Sequence, residues 1–556
     1  MAIAFIGLTL AGCGGSKNTE TNLGDPLYAY QWHLHNTGQA VFSDIAPTAG
    51  VDLNMTDLFE QGITGKGVTV GFAEDGAAYS WHEDLQQNMV AIDSNSREAD
   101  LRTATHATAT SSIIAAVANN GKGGRGVAPD ARILDLTAWG NQPHAPLRLI
   151  SNSAGGSPPF FPTPSDGDTP GADALELRRL QDPFATLLVH SAGNSYLEAA
   201  ADTESLCEAH TRKSGIGCVV ANTDLLNNLP FSIGVGAVAA SGRKASYSSA
   251  GSVLWVSALG GEGGWQREQV SKRGALPDSA ARHPERFFSA AIVSADAPGC
   301  DKGLNKTGAE YNQLEAGTPF DPDCNYTARA NGTSAAAPMV SGIIALMLQV
   351  NPLLGWRDIK YLLATTARQI DPLQGGIDWD GMLLDNGWVT NAAGHPFSNW
   401  YGYGLADATR AVNAARSFAA LPALQATDWK IYGGKPVPVP YRSDDAGMAL
   451  ISMPEDLMVE TVHLQIKTNV QNPVGLRVTL ISPAGTRSVI LPPLTYLLPA
   501  ADGFHIDLTG SNAFLDESSK GEWKIQITDA IHPDAAATET LVSWKLRVFG
   551  HRPRTG

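Results

Sequence analysis

Ser334 sits in the run Asn331-Gly332-Thr333-Ser334-Ala335-Ala336-Ala337-Pro338, ahead of the apolar stretch Ile343-Ile344-Ala345-Leu346-Met347-Leu348. Small residues leading into an apolar run predict a buried helix with a serine in its first turn. Backbone N–H groups point outward there and the dipole is positive, so an oxyanion forming beside Ser334 would be stabilised. The same run also reads as a Gly-Thr-Ser cap on a core helix, and the choice depends on partners elsewhere. Acyl transfer by a serine needs a base, an acid that orients the base, and donors for the oxyanion. His106, in His106-Ala107-Thr108-Ala109 at the opening of a helix, is the base candidate. Asn194, in Ser191-Ala192-Gly193-Asn194-Ser195 after an apolar run, is the extra donor. The acid comes from the carboxylate pair Glu74-Asp75, ahead of Gly76.

These residues fall at the ends of predicted elements. Val68 to Ala73, Ile133 to Leu136 and Thr186 to Val189 read as buried strands, and His106 to Ala118 as a helix stopped by Asn119-Asn120-Gly121. Alternation of this kind predicts an α/β fold with a mostly parallel sheet and helices on both faces, whose ligands gather at the carboxyl ends of strands. Beyond about Leu421 the period changes to two. Val462, Leu464 and Ile466 alternate with polar residues, as do Leu476, Val478 and Leu480, then Trp523, Ile525 and Ile527. That texture predicts an all-β sandwich of roughly 120 residues. The expected organisation is an α/β domain over 25–420 and a sandwich over 427–552.

The chain has 556 residues, 43% hydrophobic and 17% charged, which suits a globular protein of two domains. A formal net charge of −16 disfavours nucleic acid and anionic membrane surfaces as partners. Cys207 with Cys218, and Cys300 with Cys324, bracket polar loops and read as two disulfides, hence an oxidising compartment. The fifth cysteine, Cys13, follows Leu10-Ala11-Gly12 after an apolar run too short to span a bilayer. It resembles a bacterial lipobox, with residues 1–13 as a lipoprotein-type signal segment and 14–24 as a flexible tether. No Lys or Arg precedes that run. Location outside the cytoplasm follows, either lipid-anchored through Cys13 (at the outer membrane in a two-membrane cell) or released.

In chain order, an acid at a strand end, His106 on a helix, Asn194 after a strand and Gly332-Thr333-Ser334-Ala335-Ala336-Ala337-Pro338 resemble the subtilase superfamily. Asp25-Pro26-Leu27, Gln31-Trp32-His33-Leu34 and Asn36-Thr37-Gly38-Gln39 are similar to its kexin-type, proprotein-convertase-like branch. Ser482-Pro483-Ala484-Gly485-Thr486, Gly521-Glu522-Trp523 and Trp544-Lys545-Leu546 resemble that branch's P domain. The resemblance implies a subtilisin-like fold and a serine endopeptidase acting on proteins or peptides. It makes Ser334 the nucleophile, His106 the general base, Glu74 the orienting acid and Asn194 the oxyanion donor. Ser153-Ala154-Gly155 stands where the family has its substrate strand, and Asp75 would face a neighbouring subsite.

Departures from the family pattern are specific. Glu74 replaces the family's Asp, leaving Asp75 as the other reading of the acid, and Ala107 replaces a glycine. Gly156-Ser157-Pro158, Thr103 and Ala104 stand where convertases carry acids, which weakens an expected preference for paired basic residues. These departures keep open a second reading, a catalytically impaired subtilase shell serving as a surface binding module. The resemblance also implies a calcium site, with Asp25, Asp84 and Asn120 side chains and the carbonyls of Val117, Lys122 and Gly124 as oxygen ligands. Subtilases usually carry a pro-segment that aids folding. The few Gly-, Asn- and Thr-rich residues before Asp25 could not pack as one, which points to unaided folding or a separately encoded chaperone.

Overall fold

The computed structural model describes residues 24–91, 101–139, 145–156, 158–161, 180–197, 214–315, 318–443, 447–534 and 538–553. Cys13, the signal segment, all but the last residue of the tether, and Cys207 lie outside the described residues. Strands β1 (Thr69–Ala73), β2 (Arg132–Asp135), β3 (Leu149–Asn152), β4 (Leu187–Ser191), β5 (Ser232–Val238) and β6 (Leu254–Leu259) form one sheet. Its order is β2-β1-β3-β4-β5-β6 and every pairing is parallel. β5 and β6 are buried at every residue, so they read as continuous apolar runs instead of alternating ones. An antiparallel pair, β7 (Ile292–Ala295) and β8 (Tyr326–Ala330), leads into the Ser334 helix.

Two helices carry the predicted chemistry. α1 spans Leu101–Ala115 and α2 spans Thr333–Val350. The expectation that His106 opens its helix is corrected: the helix starts at Leu101, because Arg102 to Thr105 contain no breaker, and His106 lies in the second turn. Ala107 and the α2 residues Ala335 to Met347 are buried. α2 is long and apolar enough to cross a membrane, but its length is spent inside the fold, under the sheet. It crosses so closely that a Cβ on Gly342 would meet Val127 at 2.5 Å.

The C-terminal sandwich is two antiparallel sheets. One orders 425–426, 540–551, 458–468 and 505–511; the other orders 448–453, 521–529, 476–481 and 487–491. Trp523, Trp544, Val462 and Leu464 lie on the buried faces, as the period of two predicts. The free side of edge strand β6 is paired by residues 403–406, with Tyr403 N–H donating to Trp255 O at 2.9 Å and Ser257 N–H to Gly404 O at 2.8 Å, and the sandwich packs at the start of that strand. Asn512 donates from its backbone to Ser252 O at 2.9 Å and from Nδ2 to Val253 O at 2.8 Å, just before edge strand β6. Arg357, on a helix spanning Trp356–Thr366, forks onto Glu460, whose Oε1 also meets His551 Nδ1 at 2.8 Å. A buried carboxylate shared by a guanidinium and a histidine is held well inside the ionised range, largely through Arg357, despite its burial.

Candidate active site

Glu74, Asp75, Ser153 and Asn194 all follow the carboxyl ends of parallel strands, where the strand pattern expected a site. Glu74 comes directly after β1 and is buried, whereas Asp75, pointing the other way, is exposed in the cleft. Glu74 Oε2 faces His106 Nδ1 at 3.2 Å, with the Glu74 side chain 0% and the His106 side chain 42% exposed. That contact is close but off the hydrogen-bonding line, since Oε2 has no hydrogen-bond partner. The other oxygen, Oε1, accepts the Ser153 N–H at 2.8 Å. Thr137 Oγ1 donates to Glu74 O at 2.7 Å and holds the turn.

Ser334 is the second residue of α2. Gly332 caps the helix at φ +108°, a conformation that side chains other than glycine's rarely adopt. Pro338 has no N–H to offer the Ser334 carbonyl, and its locked φ suits the first turns of a helix. Ser334 Oγ donates to Ser153 O at 3.1 Å in this resting geometry. Asn194 Oδ1 accepts both Thr333 N–H and Thr333 Oγ1–H at 2.9 Å. Two donors on one atom assign it as the oxygen, which turns the Nδ2 donors away toward the cleft. Asn194 Nδ2 and Ser334 N–H are therefore the two donors left without an acceptor among the described residues at this point.

One cleft of about 1020 Å³ collects His106, Ser334, Asn194, Asp75, Ser153, Ala154 and Gly155. Gly155 has φ +106°, so the chain turns there after the Ser153–Ala154 edge. The same cleft is lined by Glu262 and by Arg102, Arg286, Lys302, Lys306, Arg329 and Asp301, the last six being residues that motif reading had not singled out. Burial pushes Glu262 up to about 7. Arg329 is held by Glu315.

The calcium-ligand candidates also converge. Asn120 Nδ2 donates to Asp84 Oδ1 at 2.8 Å, Asn120 N–H to Asp25 Oδ1 at 3.2 Å, and Val117 N–H to Asp84 O at 2.9 Å. Lys122 N–H donates to Asn120 Oδ1 at 2.8 Å, and Gly123 O accepts Leu27 N–H at 2.7 Å. Asp84 is 1% exposed, and burial pushes its carboxyl up to about 8. Such a group needs added positive charge to ionise at neutral pH. Arg125, which sequence reading missed between two glycines, pairs instead with the neighbouring Asp25, at Oδ2 and 2.5 Å. Oxygen donors around a desolvated carboxylate fit a hard cation, although the described residues hold no cluster of three His, Cys, Asp or Glu side chains suited to a metal. Cys300 and Cys324 are disulfide-bonded, and Cys218 is disulfide-bonded as well.

A serine on a buried helix end, packed against a parallel sheet and followed by an antiparallel sandwich, defines a subtilisin-like hydrolase with an appended β domain. The chain matches the Subtilase family over residues 65–404 and the Proprotein convertase P-domain over residues 459–548. It is 30% identical to the extracellular serine protease of Aeromonas sobria, over 97% of this chain and 93% of that one. It is 29% identical to the microbial serine proteinase of Aeromonas salmonicida, over 92% and 85%. The solved structure of the A. sobria protease with its chaperone aligns at a TM-score of 0.82 and 27% identity, covering 95% of this chain and 96% of that one. This protein belongs to the subtilase family, with a convertase-type P domain, and is a serine-type endopeptidase.

Proposed function

We propose that this endopeptidase works outside the cytoplasm through Ser334, His106 and Glu74, with Asn194 Nδ2 and the Ser334 N–H binding the oxyanion. The observation that carries the reading is the 3.2 Å approach of Glu74 to His106 in the same cleft as Ser334 and Asn194. Rotation of the Ser334 side chain away from Ser153 O brings Oγ toward the imidazole, which takes its proton as Oγ attacks the peptide carbonyl. His106 then returns that proton to the leaving amine. Glu74 keeps the ring in the required tautomer and stabilises the imidazolium. Ser153 to Gly155 would lie beside the extended substrate, a protein or peptide.

Calcium would be held by Asp25, Asp84, Asn120 and the carbonyls of Val117, Lys122 and Gly124, where it would neutralise the buried Asp84 and stabilise the fold. A separately encoded chaperone is supported by the A. sobria protease, whose solved complex contains one. Its extracellular naming supports export here too. Lipid attachment at Cys13 remains part of the proposal, as do the boundaries 25–420 and 427–552. The impaired-shell reading is distinguished by one experiment, labelling of the folded, exported protein with a fluorophosphonate. The expected result is one label on Ser334, abolished in Ser334→Ala. No label on the wild-type protein would overturn the mechanism.

A further inference from the structure

The first turn of a helix leaves four backbone N–H groups without intrahelical acceptors. At α2 all but one are closed. Gly332 N–H donates to Tyr247 Oη at 2.8 Å, Thr333 N–H to Asn194 Oδ1 at 2.9 Å, and Ala335 N–H to Gly332 O at 3.0 Å. Only the Ser334 N–H is left to face an incoming oxyanion. Closure of the Gly332 N–H depends on a single phenol from a residue 85 positions away.

That phenol is itself tied down. Tyr247 Oη donates to the carbonyls at Gly260 and Gly261, at 2.9 and 2.8 Å, just beyond β6. A Cβ on Gly260 would lie 2.7 Å from Tyr247 Oη and 2.9 Å from Gly332 O, so the contact has no slack. The Tyr247 carbonyl accepts the Tyr196 N–H at 3.0 Å, two residues beyond Asn194. Next to it, Ser249 N–H donates to Gly193 O at 2.9 Å. One short segment, 247–249, thus ties the turn carrying Ser334 to the turn carrying Asn194. Asn331 Nδ2 adds a parallel tie to Glu262 O at 2.9 Å.

We infer that Tyr247 is a positioning residue, which sets the spacing between the Ser334 N–H and Asn194 Nδ2 through its bond to Gly332. The inference rests on the proposed roles of Ser334 and Asn194. Because it acts on a geometry needed only as charge develops, its loss affects turnover and not substrate binding.

Tyr247→Phe keeps the ring and removes the hydroxyl. The expected result is a fall in kcat of roughly ten- to a hundred-fold with KM unchanged, since a misplacement of about 1 Å can cost a hundred-fold in rate. The rate of fluorophosphonate labelling should fall in parallel. Tyr403→Phe is the control. It deletes another buried phenol, bonded to Asn512 O at the sandwich, and should lower the melting temperature while kcat is kept. Asn331→Ala, read in the same assays, should lower kcat with the same sign if Tyr247→Phe yields no soluble protein. Wild-type kcat in Tyr247→Phe, or in Asn331→Ala where that variant stands in, overturns the inference. So does a loss that follows melting temperature as in Tyr403→Phe. A wild-type protein that takes no label fails the catalytic reading instead, a result distinct from all of these.

Discussion

Glu74 touches His106 with one carboxylate oxygen, at 3.2 Å, while its other oxygen accepts the Ser153 N–H at 2.8 Å. The group that would orient the base is thereby tied to the strand edge that would bind substrate. A longer side chain than Asp brings its carboxylate further across the strand ends. The Ser153 N–H anchors that extra reach, so the added methylene does not leave the carboxylate free to swing.

The first prediction concerns that carboxylate. Glu74→Gln should lower kcat by on the order of 10⁴, because an amide cannot stabilise the imidazolium and favours the wrong tautomer. Glu74→Asp should keep most of the activity, and Asp75→Asn should leave kcat within a few-fold. Steady-state kinetics on all three decide it. A silent Glu74→Gln beside an inactive Asp75→Asn would transfer the role to Asp75.

Asn194→Ala removes the donor proposed to bind the oxyanion. A loss of about 2.7–4 kcal/mol of transition-state stabilisation is expected, seen mainly in kcat. Turnover close to wild type would take Asn194 out of the mechanism.

If the proposed calcium is bound, chelation should lower the melting temperature by removing a ligand specific to the folded state. Saturation at a hundred times Kd contributes about 2.7 kcal/mol. Asp84→Ala should abolish the response to added calcium. A melting curve unmoved by EDTA would mean that Arg125 and Asn120 alone satisfy the Asp25–Asp84 site.

The strand ends, Ser334, His106 and Asn194 were legible because each is announced locally, by apolar runs that stop at Gly, Asn or small residues. The sandwich was legible from its period of two. What was not legible depends on approach across long sequence separations. The choice between Glu74 and Asp75 turns on which way each side chain leaves β1, and the pair alone leaves that open. Arg125 gave no local signal, being one charge between glycines, yet it neutralises Asp25. Tyr247 gave no sign in the sequence of its bond to Gly332, 85 positions away. The true start of α1 was missed because Leu101 to Thr105 lack apolar periodicity.

Acid should loosen the contact between sandwich and sheet. His463 Nε2 donates to Asn228 O at 2.7 Å, and burial lowers its pKa to about 3. The folded-state value lies below the ordinary 6.5, so the unfolded chain binds the proton more readily. The stabilisation is therefore present above about 6.5 and is lost as pH falls toward 3. His33, fully buried and also lowered to about 3, adds to the same slope. Melting temperature measured across that window should fall less steeply in His463→Gln than in wild type. Identical slopes would remove His463 as a source of acid lability.

Cleavage preference is the last test. A convertase-like choice of paired basic residues requires several exposed carboxylates along the substrate strand. Here Asp75 is exposed beside it, while Glu262 is buried with its carboxyl pushed up to about 7, so that it is partly protonated near neutrality. Lys302 and Lys306 also line the cleft and would repel a second cation, while Asp301 is the other exposed carboxylate among its lining residues. Peptides with paired basic residues should therefore be cleaved with a kcat/KM within about tenfold of their alanine-substituted counterparts, a difference below about 1.4 kcal/mol. Asp75→Asn should reduce whatever preference exists. A preference for paired basic residues of a hundred-fold or more in a profile of cleaved peptides would show that Asp75 and Asp301 are enough.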